Sequence, residues 1–193
     1  MQHNVVESKV KAEGMDIKTA QQDVRHTFVN GSVGQTVSGV IWLASAVLGT
    51  WVSERYAILL LVVGGAFIFP LTQLALRLLG RSGALPKGHP MNQLATQVAF
   101  IVPFSLPLIG AASQYNLNWF YPAFMLVVGT HYLPFTFLYG MWEFLTLAGI
   151  LIFGSVGIGM WLADSFAVGG WFTAVVLLAF ALWVRRSPDF SSH

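Results

Sequence analysis

The chain has 193 residues, of which 55% are hydrophobic and 9% are charged, and its mean hydropathy is +0.67. Soluble domains carry roughly 25% charged residues because their surface faces water, so this composition excludes a water-soluble globule. The formal net charge is only +2 and the basic residues flank apolar segments, which indicates membrane topology rather than a nucleic-acid partner. Cysteine is absent, which excludes a disulfide framework, a thiolate metal site and a cysteine nucleophile.

Residues 1–30 form a polar cytoplasmic segment without the basic-then-apolar pattern of a cleavable signal peptide. Within this segment Asp16 is placed to cap a short amphipathic helix. The apolar stripe of this helix consists of Ile17, Ala20, Val24 and Phe28. Two placements remain open: the helix lies along the cytoplasmic leaflet, or it packs against the protein's own cytoplasmic loops.

Six apolar segments follow, and each is about long enough to cross a bilayer core of about 30 Å, which needs roughly 20 residues. They cover residues 33–52, 56–79, 93–113, 119–139, 142–163 and 166–184. The links between them are short. The sequence therefore predicts an all-α fold, a polytopic transmembrane helical bundle of about six spans over residues 31–186, with a cytoplasmic tail at residues 187–193.

The basic residues test this topology independently, because positive charge is retained on the cytoplasmic side during insertion. With the N-terminus inside, the outer side holds only Arg55. The cytoplasmic segments then hold Lys9, Lys11, Lys18, Arg25, Arg77, Arg81, Lys87, Arg185 and Arg186. Six spans with both termini in the cytoplasm satisfy this distribution, so we expect a multi-pass protein of the cell (inner) membrane.

Two of the spans share a short sequence pattern. Tyr56-Ala-Ile-Leu-Leu-Leu-Val-Val-Gly64 matches Tyr121-Pro-Ala-Phe-Met-Leu-Val-Val-Gly129 at five of nine positions. Both segments enter the membrane from the same side in this topology. The pattern therefore predicts a parallel repeat of two-helix units.

The fourth span carries the one histidine that lies inside an apolar segment, His131. Polar groups in hydrocarbon are costly and normally face the bundle interior, where they pair with one another or line a water-filled cavity. At 3.6 residues per turn, a polar stripe beside His131 is expected to continue as far as Glu143. The candidate ligand or ion site consists of Thr130, His131, Tyr132, Thr136 and Tyr139. The alternative is a structural histidine that is hydrogen-bonded to a neighbouring helix.

Polar residues toward the cytoplasmic ends of the second and third spans suggest an opening to this site. Gln73 and Arg77 are one turn apart, as are Gln93 and Gln97, so each pair shares a helix face. We expect these four residues to form a cytoplasm-facing vestibule that leads toward His131. The alternative for Arg77 is that its side chain extends to the lipid headgroups.

The residues provide little support for an enzyme. A metal site needs at least three converging ligands, and no acidic residue lies near the depth of His131 in the membrane. Glu143 and Asp164 fall at opposite membrane faces, which disfavours a mechanism with two carboxylates. We therefore expect no catalytic residues, no bound metal and no cofactor.

One motif resembles a known family. The motif is Gly129-Thr-His-Tyr-Leu-Pro-Phe135 followed by Leu138-Tyr-Gly140, with Trp119-Phe-Tyr-Pro-Ala123 upstream. With these residues the chain resembles a family of uncharacterised bacterial membrane proteins, a domain of unknown function, over most of its length after Gln21. The resemblance implies a bacterial multi-helix membrane protein and carries over no activity and no site residues.

Three functions are compatible with these observations. The first is a small-solute or ion transporter or channel, in which the site around His131 binds the passing species. The second is a non-catalytic membrane component that binds lipid or partner proteins, and the third is a membrane-embedded enzyme. The expected partners are membrane lipids and further copies of the chain, because the subunit is small for a transporter.

Overall fold

The computed structural model describes residues 15–187, and this part of the chain consists of helices joined by loops, with no strand. The α-helices are α1 (Ile17–Phe28), α2 (Ser32–Trp51), α3 (Glu54–Leu78), α4 (Met91–Tyr115), α5 (Phe120–Tyr139), α6 (Glu143–Trp161) and α7 (Val168–Arg185). Short 3-10 turns cover Val29–Gly31 and Leu117–Trp119. The predicted all-α fold is confirmed, and the ends of α2 to α7 agree with the six predicted segments to within a few residues.

Among residues 15–187, five helical segments are long and apolar enough to cross a membrane. They are Ile17–Trp51, Glu54–Leu78, Met91–Tyr115, Glu143–Trp161 and Val168–Arg185. The remaining long helix, α5, has 20 residues and thus the length of a span, but it is not one of these five segments. These features show a membrane protein built from a helical bundle.

The long helices pack in an order that differs from their order in the chain. Helix α2 lies between α3 and α7, α7 contacts α6, α6 contacts α5, and α5 contacts α4. The consecutive helices α3 and α4 are not principal packing partners. Only 11% of the apolar window is buried in each of α3 and α4, against 44% in α7, so these two helices lie at the periphery. The core therefore lies among α2, α5, α6 and α7, where Trp42, Tyr121, Phe144 and Leu177 are fully buried.

A glycine lets α5 and α6 approach closely. A Cβ atom at Gly129 would lie 2.8 Å from the Ile152 side chain and 3.1 Å from the Ile152 backbone nitrogen. Contacts at this distance are repulsive, so a larger residue would push the two helices apart. Such close approach at small residues is typical of helix packing in membranes, where dispersion contacts replace the hydrophobic effect.

The described basic residues of the predicted cytoplasmic side lie at one end of the bundle. At this end the Arg25 guanidinium donates to the Tyr139 carbonyl, Asn30 donates to the Val184 carbonyl, and Arg81 contacts His26. Arg55 lies at the other end, near the loop between α2 and α3. The charge separation along the bundle axis is therefore present among residues 15–187, while Lys9, Lys11 and the predicted tail after residue 187 lie outside the described residues.

Helix α1 packs beneath the basic end of the bundle, against the protein's own loops. Ala20 and Val24 are each 1% exposed, whereas Ile17 is 54% exposed. The Gln21 amide donates to the Phe137 carbonyl at 2.6 Å. Of the two placements left open by the sequence, the structure shows contact with the protein itself, at the end of α5 and at the loop between α3 and α4.

Two details of the predicted helices are wrong. Asp16 occupies the N-cap position of α1, but its side chain makes no capping hydrogen bond. The polar stripe of α5 does not continue to Glu143, because α5 ends at Tyr139 and Gly140 adopts a left-handed conformation with φ of 61°. Glycine tolerates this conformation because it has no Cβ, and Glu143 begins α6 instead.

The two segments of the predicted repeat occupy different environments. Tyr56 on α3 is 58% exposed, whereas Tyr121 on α5 is fully buried and its hydroxyl lies 2.6 Å from the Ser45 hydroxyl. The similarity between these segments therefore has no counterpart in their burial. The repeat of two-helix units stays a prediction.

Candidate functional site

A buried hydrogen bond joins α5 to α2 at the centre of the predicted site. The Tyr132 hydroxyl donates to Gln35 Oε1 at 2.8 Å, and both residues are buried, at 5% and 3% exposure. Helix α2 places Gln35 toward α5 on the same face as Ser38 and Trp42, which are also buried. Gln35 is therefore part of the site, although the sequence analysis did not include it. The available signal was that Gln35 is the one amide side chain in the first predicted span.

His131 lies beside this hydrogen bond, against aromatic rings. Its ring centroid is 5.4 Å from that of Tyr132 and 5.0 Å from that of Phe135. The imidazole also interacts with the backbone of Val98 on α4. Its Nδ1 atom is buried and has no hydrogen-bond partner in the described part of the chain. His131 is thus held between α5 and α4 with one polar atom unused.

Two threonine hydroxyls are also buried without a partner among residues 15–187, namely Thr136 Oγ1 and Thr72 Oγ1. Thr136 follows Tyr132 by one turn of α5. Thr72 on α3 packs beside Gly34, the residue that precedes Gln35. A buried polar atom without a hydrogen bond costs free energy, and such atoms are uncommon in folded proteins. Their occurrence near Gln35 marks this layer of the bundle as unusually polar.

Tyr139 belongs to an aromatic cluster rather than to the polar layer. Its ring stacks on Phe135 with a centroid distance of 5.6 Å and approaches Phe144 at 4.8 Å. Phe144 in turn contacts Phe180 on α7. The aromatic cluster closes the basic end of the bundle below His131.

Thr130 lies apart from the other predicted site residues. It is exposed, and its hydroxyl donates to the Val127 carbonyl at 2.9 Å and to the Leu126 carbonyl at 3.1 Å. Both partners belong to the preceding turn of the same helix. Thr130 therefore faces the surroundings of the bundle, and the structure does not bring it together with Tyr132 and Thr136.

The predicted vestibule residues lie on α3 and α4, which are not principal packing partners. Arg77, Gln93 and Gln97 are exposed, and Gln73 is half-buried with its side-chain oxygen near Gly83. The vestibule stays a prediction.

Two clefts in the described part of the bundle lie away from His131. One, of about 340 Å³, lies at the end that carries Arg55, between Ser53, Glu54, Ile58 and Leu117. The other, of about 70 Å³, lies at the basic end where α2, α3 and α7 meet, and its lining includes Ser32, Thr36, Leu79, Leu182 and Arg185. Neither of these clefts reaches the polar layer around His131, in which His131 and Thr136 are half-buried.

Two further histidines lie where α1 meets the bundle. His89 Nε2 is 3.5 Å from Asp23 Oδ2, and His89 Nδ1 accepts from the Met91 backbone at 3.2 Å. His26 Nε2 lies 3.0 Å from Arg81 Nη1, so it accepts this hydrogen bond because a guanidinium has no acceptor. These contacts join α1 to the loop between α3 and α4, and the sequence analysis did not identify them.

Within residues 15–187, no three His, Cys, Asp or Glu side chains come together as a set that could hold a metal ion.

No curated protein and no solved structure matches the chain. One family model matches residues 17–187, from the start of α1 to just beyond α7. The resemblance to an uncharacterised family is confirmed by this match. The chain belongs to the family described as "Family of unknown function (DUF7010)".

Proposed function

We propose that the protein is a small-solute or ion transporter or channel whose intramembrane site is the polar layer of Gln35, His131, Tyr132 and Thr136. The observation that carries this proposal is the pair of buried, unpartnered polar atoms on α5, His131 Nδ1 and Thr136 Oγ1. Both atoms lie in a helical bundle that is long and apolar enough to cross a membrane. Polar groups at such depth are typical of substrate and ion pathways.

The chemistry of this layer suits a hydrogen-bonding species. Neutral imidazole offers one donor and one acceptor, and a threonine hydroxyl offers both. A water molecule, a hydrated ion or a small polar solute that entered the layer would satisfy His131 Nδ1 and Thr136 Oγ1. Such a species would replace its hydrogen bonds to bulk water by hydrogen bonds to these groups. The free-energy cost of removing it from water to cross the membrane would therefore be smaller.

The conformation described here would be one state of such a transporter. Transport requires that the site open to each side in turn, and elements with few buried contacts are those that move most readily. Helices α3 and α4 have the smallest buried fractions among the candidate spans. We infer that displacement of α4 from α5 exposes His131, because His131 faces the Val98 backbone on α4.

Flux through reconstituted vesicles tests this function. The full chain and a His131→Ala variant are placed in liposomes, and fluxes of protons, potassium and glycerol are measured between about pH 5 and pH 8, where histidine titrates. We expect flux above that of empty liposomes for the parent and at least a tenfold loss, about 1.4 kcal/mol, for the variant. Background flux in the parent for all three probes would contradict the proposal for protons, potassium and glycerol.

Thr130→Ala is the matched control for this experiment. Thr130 is adjacent to His131 but is exposed and bonded to its own helix, so the change removes a polar group outside the proposed site. Flux should remain at the level of the parent. An equal loss in the Thr130 and His131 variants would indicate damage to α5 rather than loss of a site.

A second candidate function is a non-catalytic membrane component that binds lipid or partner proteins. The observation in its favour is that His131 packs against Tyr132 and Phe135 with neither cleft beside it. This function predicts that His131 stays dry. Slow hydrogen–deuterium exchange along α5 in lipid, together with background flux, would favour this candidate over transport.

The placement in the cell follows from the charge distribution. We propose a multi-pass protein of the bacterial inner membrane, with six spans and both termini in the cytoplasm, because the basic residues gather at the end that carries α1 and the C-terminus of α7. A homo-oligomer would cover the exposed faces of α3 and α4. The glycine-rich surfaces are further candidates for contact between copies.

A further inference from the structure

The smaller cleft lies where the first turn of α2, the C-terminus of α3 and the last turn of α7 meet. We name it the Arg185 cleft and define it by Val29, Ser32, Thr36, Leu79, Leu182 and Arg185. It opens to the side of the bundle, because Leu79 is 58% exposed and Leu182 is 60% exposed. Along the bundle axis, the cleft lies at the level of the ends of these three helices. In a membrane this position coincides with the boundary between headgroups and acyl chains.

Arg185 has no hydrogen bond and no ion pair among residues 15–187. The ion-pair contact found among residues 15–187 joins Asp23 to His89 and does not involve Arg185. A guanidinium carries five donors in a planar arrangement that matches a phosphate group. At the headgroup boundary, the natural counterpart of an unpaired arginine is therefore a lipid phosphate.

The backbone that carries Arg185 is held in place by a buried asparagine. Asn30 is 6% exposed, and its Nδ2 donates to the Val184 carbonyl at 3.1 Å and to the Ser187 carbonyl at 3.4 Å. These two carbonyls lie on either side of Arg185. Because the last turn of α7 is fixed to the start of α2, less conformational entropy is lost when a ligand binds at Arg185.

The hydroxyl groups of the cleft offer acceptors rather than donors. The Ser32 hydroxyl donates to the Val29 carbonyl at 2.8 Å, and the Thr36 hydroxyl donates to the Ser32 carbonyl at 2.9 Å. The lone pairs of both oxygens remain for a donor on a ligand. A headgroup with its own hydroxyls, such as glycerol, provides this donor, whereas phosphatidic acid has no hydroxylated headgroup.

An apolar surface continues from the cleft toward the middle of the bundle. On α2 it includes Val33, which lines the cleft, and Val40, which is 52% exposed. Val33, Thr36 and Val40 follow one another at helical spacing and so share a face. This face provides a path for an acyl chain that begins at the cleft lined by Val33 and Arg185.

We propose that the Arg185 cleft binds one anionic phospholipid with a hydroxylated headgroup. Its phosphate pairs with the Arg185 guanidinium, a headgroup hydroxyl donates to Thr36 Oγ1, and an acyl chain follows Val33 and Val40. The site is separate from the polar layer around His131, so it does not depend on transport activity.

Lipid exchange with the full chain tests this site. The purified protein is equilibrated with mixed micelles of phosphatidylglycerol and phosphatidylcholine in equal amounts, and the retained lipid is quantified by mass spectrometry. We expect the parent to retain phosphatidylglycerol selectively and Arg185→Gln to weaken this retention about fivefold. Equal retention of the two lipids by the parent would overturn the proposal.

Arg186→Gln is the matched control, because it removes the same charge from the next residue, which does not line the cleft. Its effect should be smaller than that of Arg185→Gln. Equal losses in the two variants would show diffuse attraction to the basic end and would overturn a defined site. Displacement of phosphatidylglycerol by inorganic phosphate at the same concentration would also overturn it, because the acyl-chain contact would then contribute nothing.

Thr36→Val tests the headgroup hydroxyl without any change of charge. The variant should lose the preference for phosphatidylglycerol over phosphatidic acid while it keeps the preference for anionic over zwitterionic lipid. An unchanged preference between the two anionic lipids would contradict the contact at Thr36. Because Thr36 is exposed, we expect Thr36→Val to fold. The proposed site can therefore be tested with this variant even if Arg185→Gln fails to fold.

Discussion

The hydrogen bond between Tyr132 and Gln35 lies inside the bundle and joins α5 to α2. Its length is 2.8 Å, and both side chains are almost fully buried. Removal of one partner leaves the other without a hydrogen bond in an environment that lacks water. The bond therefore couples the position of α5 to that of α2, and it fixes the polar layer in which His131 lies.

Tyr132→Phe should lower the free energy of unfolding by about 1 kcal/mol, since interhelical hydrogen bonds in membranes contribute about 0.6 to 1.7 kcal/mol. Thermal unfolding in detergent measures the change. Tyr56→Phe is the matched control, because Tyr56 is 58% exposed and its substitution should cause no loss of stability.

The double variant Tyr132→Phe with Gln35→Leu should recover part of the stability, and a fully additive loss would refute coupling between the two residues.

The sequence identified part of this site at the level of residues. His131, Tyr132 and Thr136 could be predicted because polar side chains in one apolar helix are easily recognised. Gln35 could not be paired with Tyr132, because the two residues are 97 positions apart and only the packing of α2 on α5 brings them together. Thr130 was included on spacing alone, and its own helix satisfies its hydroxyl instead.

At the scale of elements, the contact between α5 and α6 depends on Gly129. A Cβ atom there would meet both the side chain and the backbone of Ile152. The backbone of a helix cannot yield as a flexible side chain can. Gly129→Ala should therefore destabilise the protein by about 1 to 3 kcal/mol, the usual cost of overpacking.

Gly149→Ala provides the control for this prediction. Gly149 lies on α6, and a Cβ atom at this position would have no heavy atom within 4 Å beyond its own helix and chain neighbours. Alanine favours the helical conformation over glycine by about 1 kcal/mol, so the variant should be as stable as the parent or more stable. Thermal unfolding of both variants measures the difference, and equal stability of the two would show that α5 and α6 can separate freely.

The helices themselves were predictable, and the placement of α1 was not. A window of about 20 apolar residues defines each long helix without reference to its neighbours. The amphipathic pattern of α1 shows which face is apolar but not what covers it. The contacts of Gln21 and Arg25 with the last carbonyls of α5 decide this, because the end of a helix leaves its carbonyls without partners.

At the scale of the whole molecule, charge separates the two ends of the bundle. The described basic residues at the α1 end are Lys18, Arg25, Arg77, Arg81, Lys87, Arg185 and Arg186. The other end carries Arg55 beside Glu54, together with Asp164. Positive charge favours the cytoplasmic side, so the α1 end is expected to face the cytoplasm.

Because the chain has no cysteine, single cysteines can report its orientation. Ser82→Cys lies in the loop between α3 and α4, and Ser165→Cys lies in the loop between α6 and α7; both serines are exposed. In intact cells a membrane-impermeant maleimide should label the cysteine at position 165 and not the one at position 82. The reverse result would contradict the proposed orientation, and labelling of both after lysis serves as the control.

The sequence by itself determined the membrane character, the all-helical fold and the bounds of the long helices, because burial in lipid requires long apolar segments whose backbone hydrogen bonds are satisfied within each helix. The packing order, the peripheral position of α3 and α4, the partner of Tyr132 and the Arg185 cleft were decided only by the tertiary structure. These features depend on which side chains fit together across helices that are far apart in the chain. An apolar segment carries little information of this kind, because most of its residues are equally compatible with lipid and with another helix.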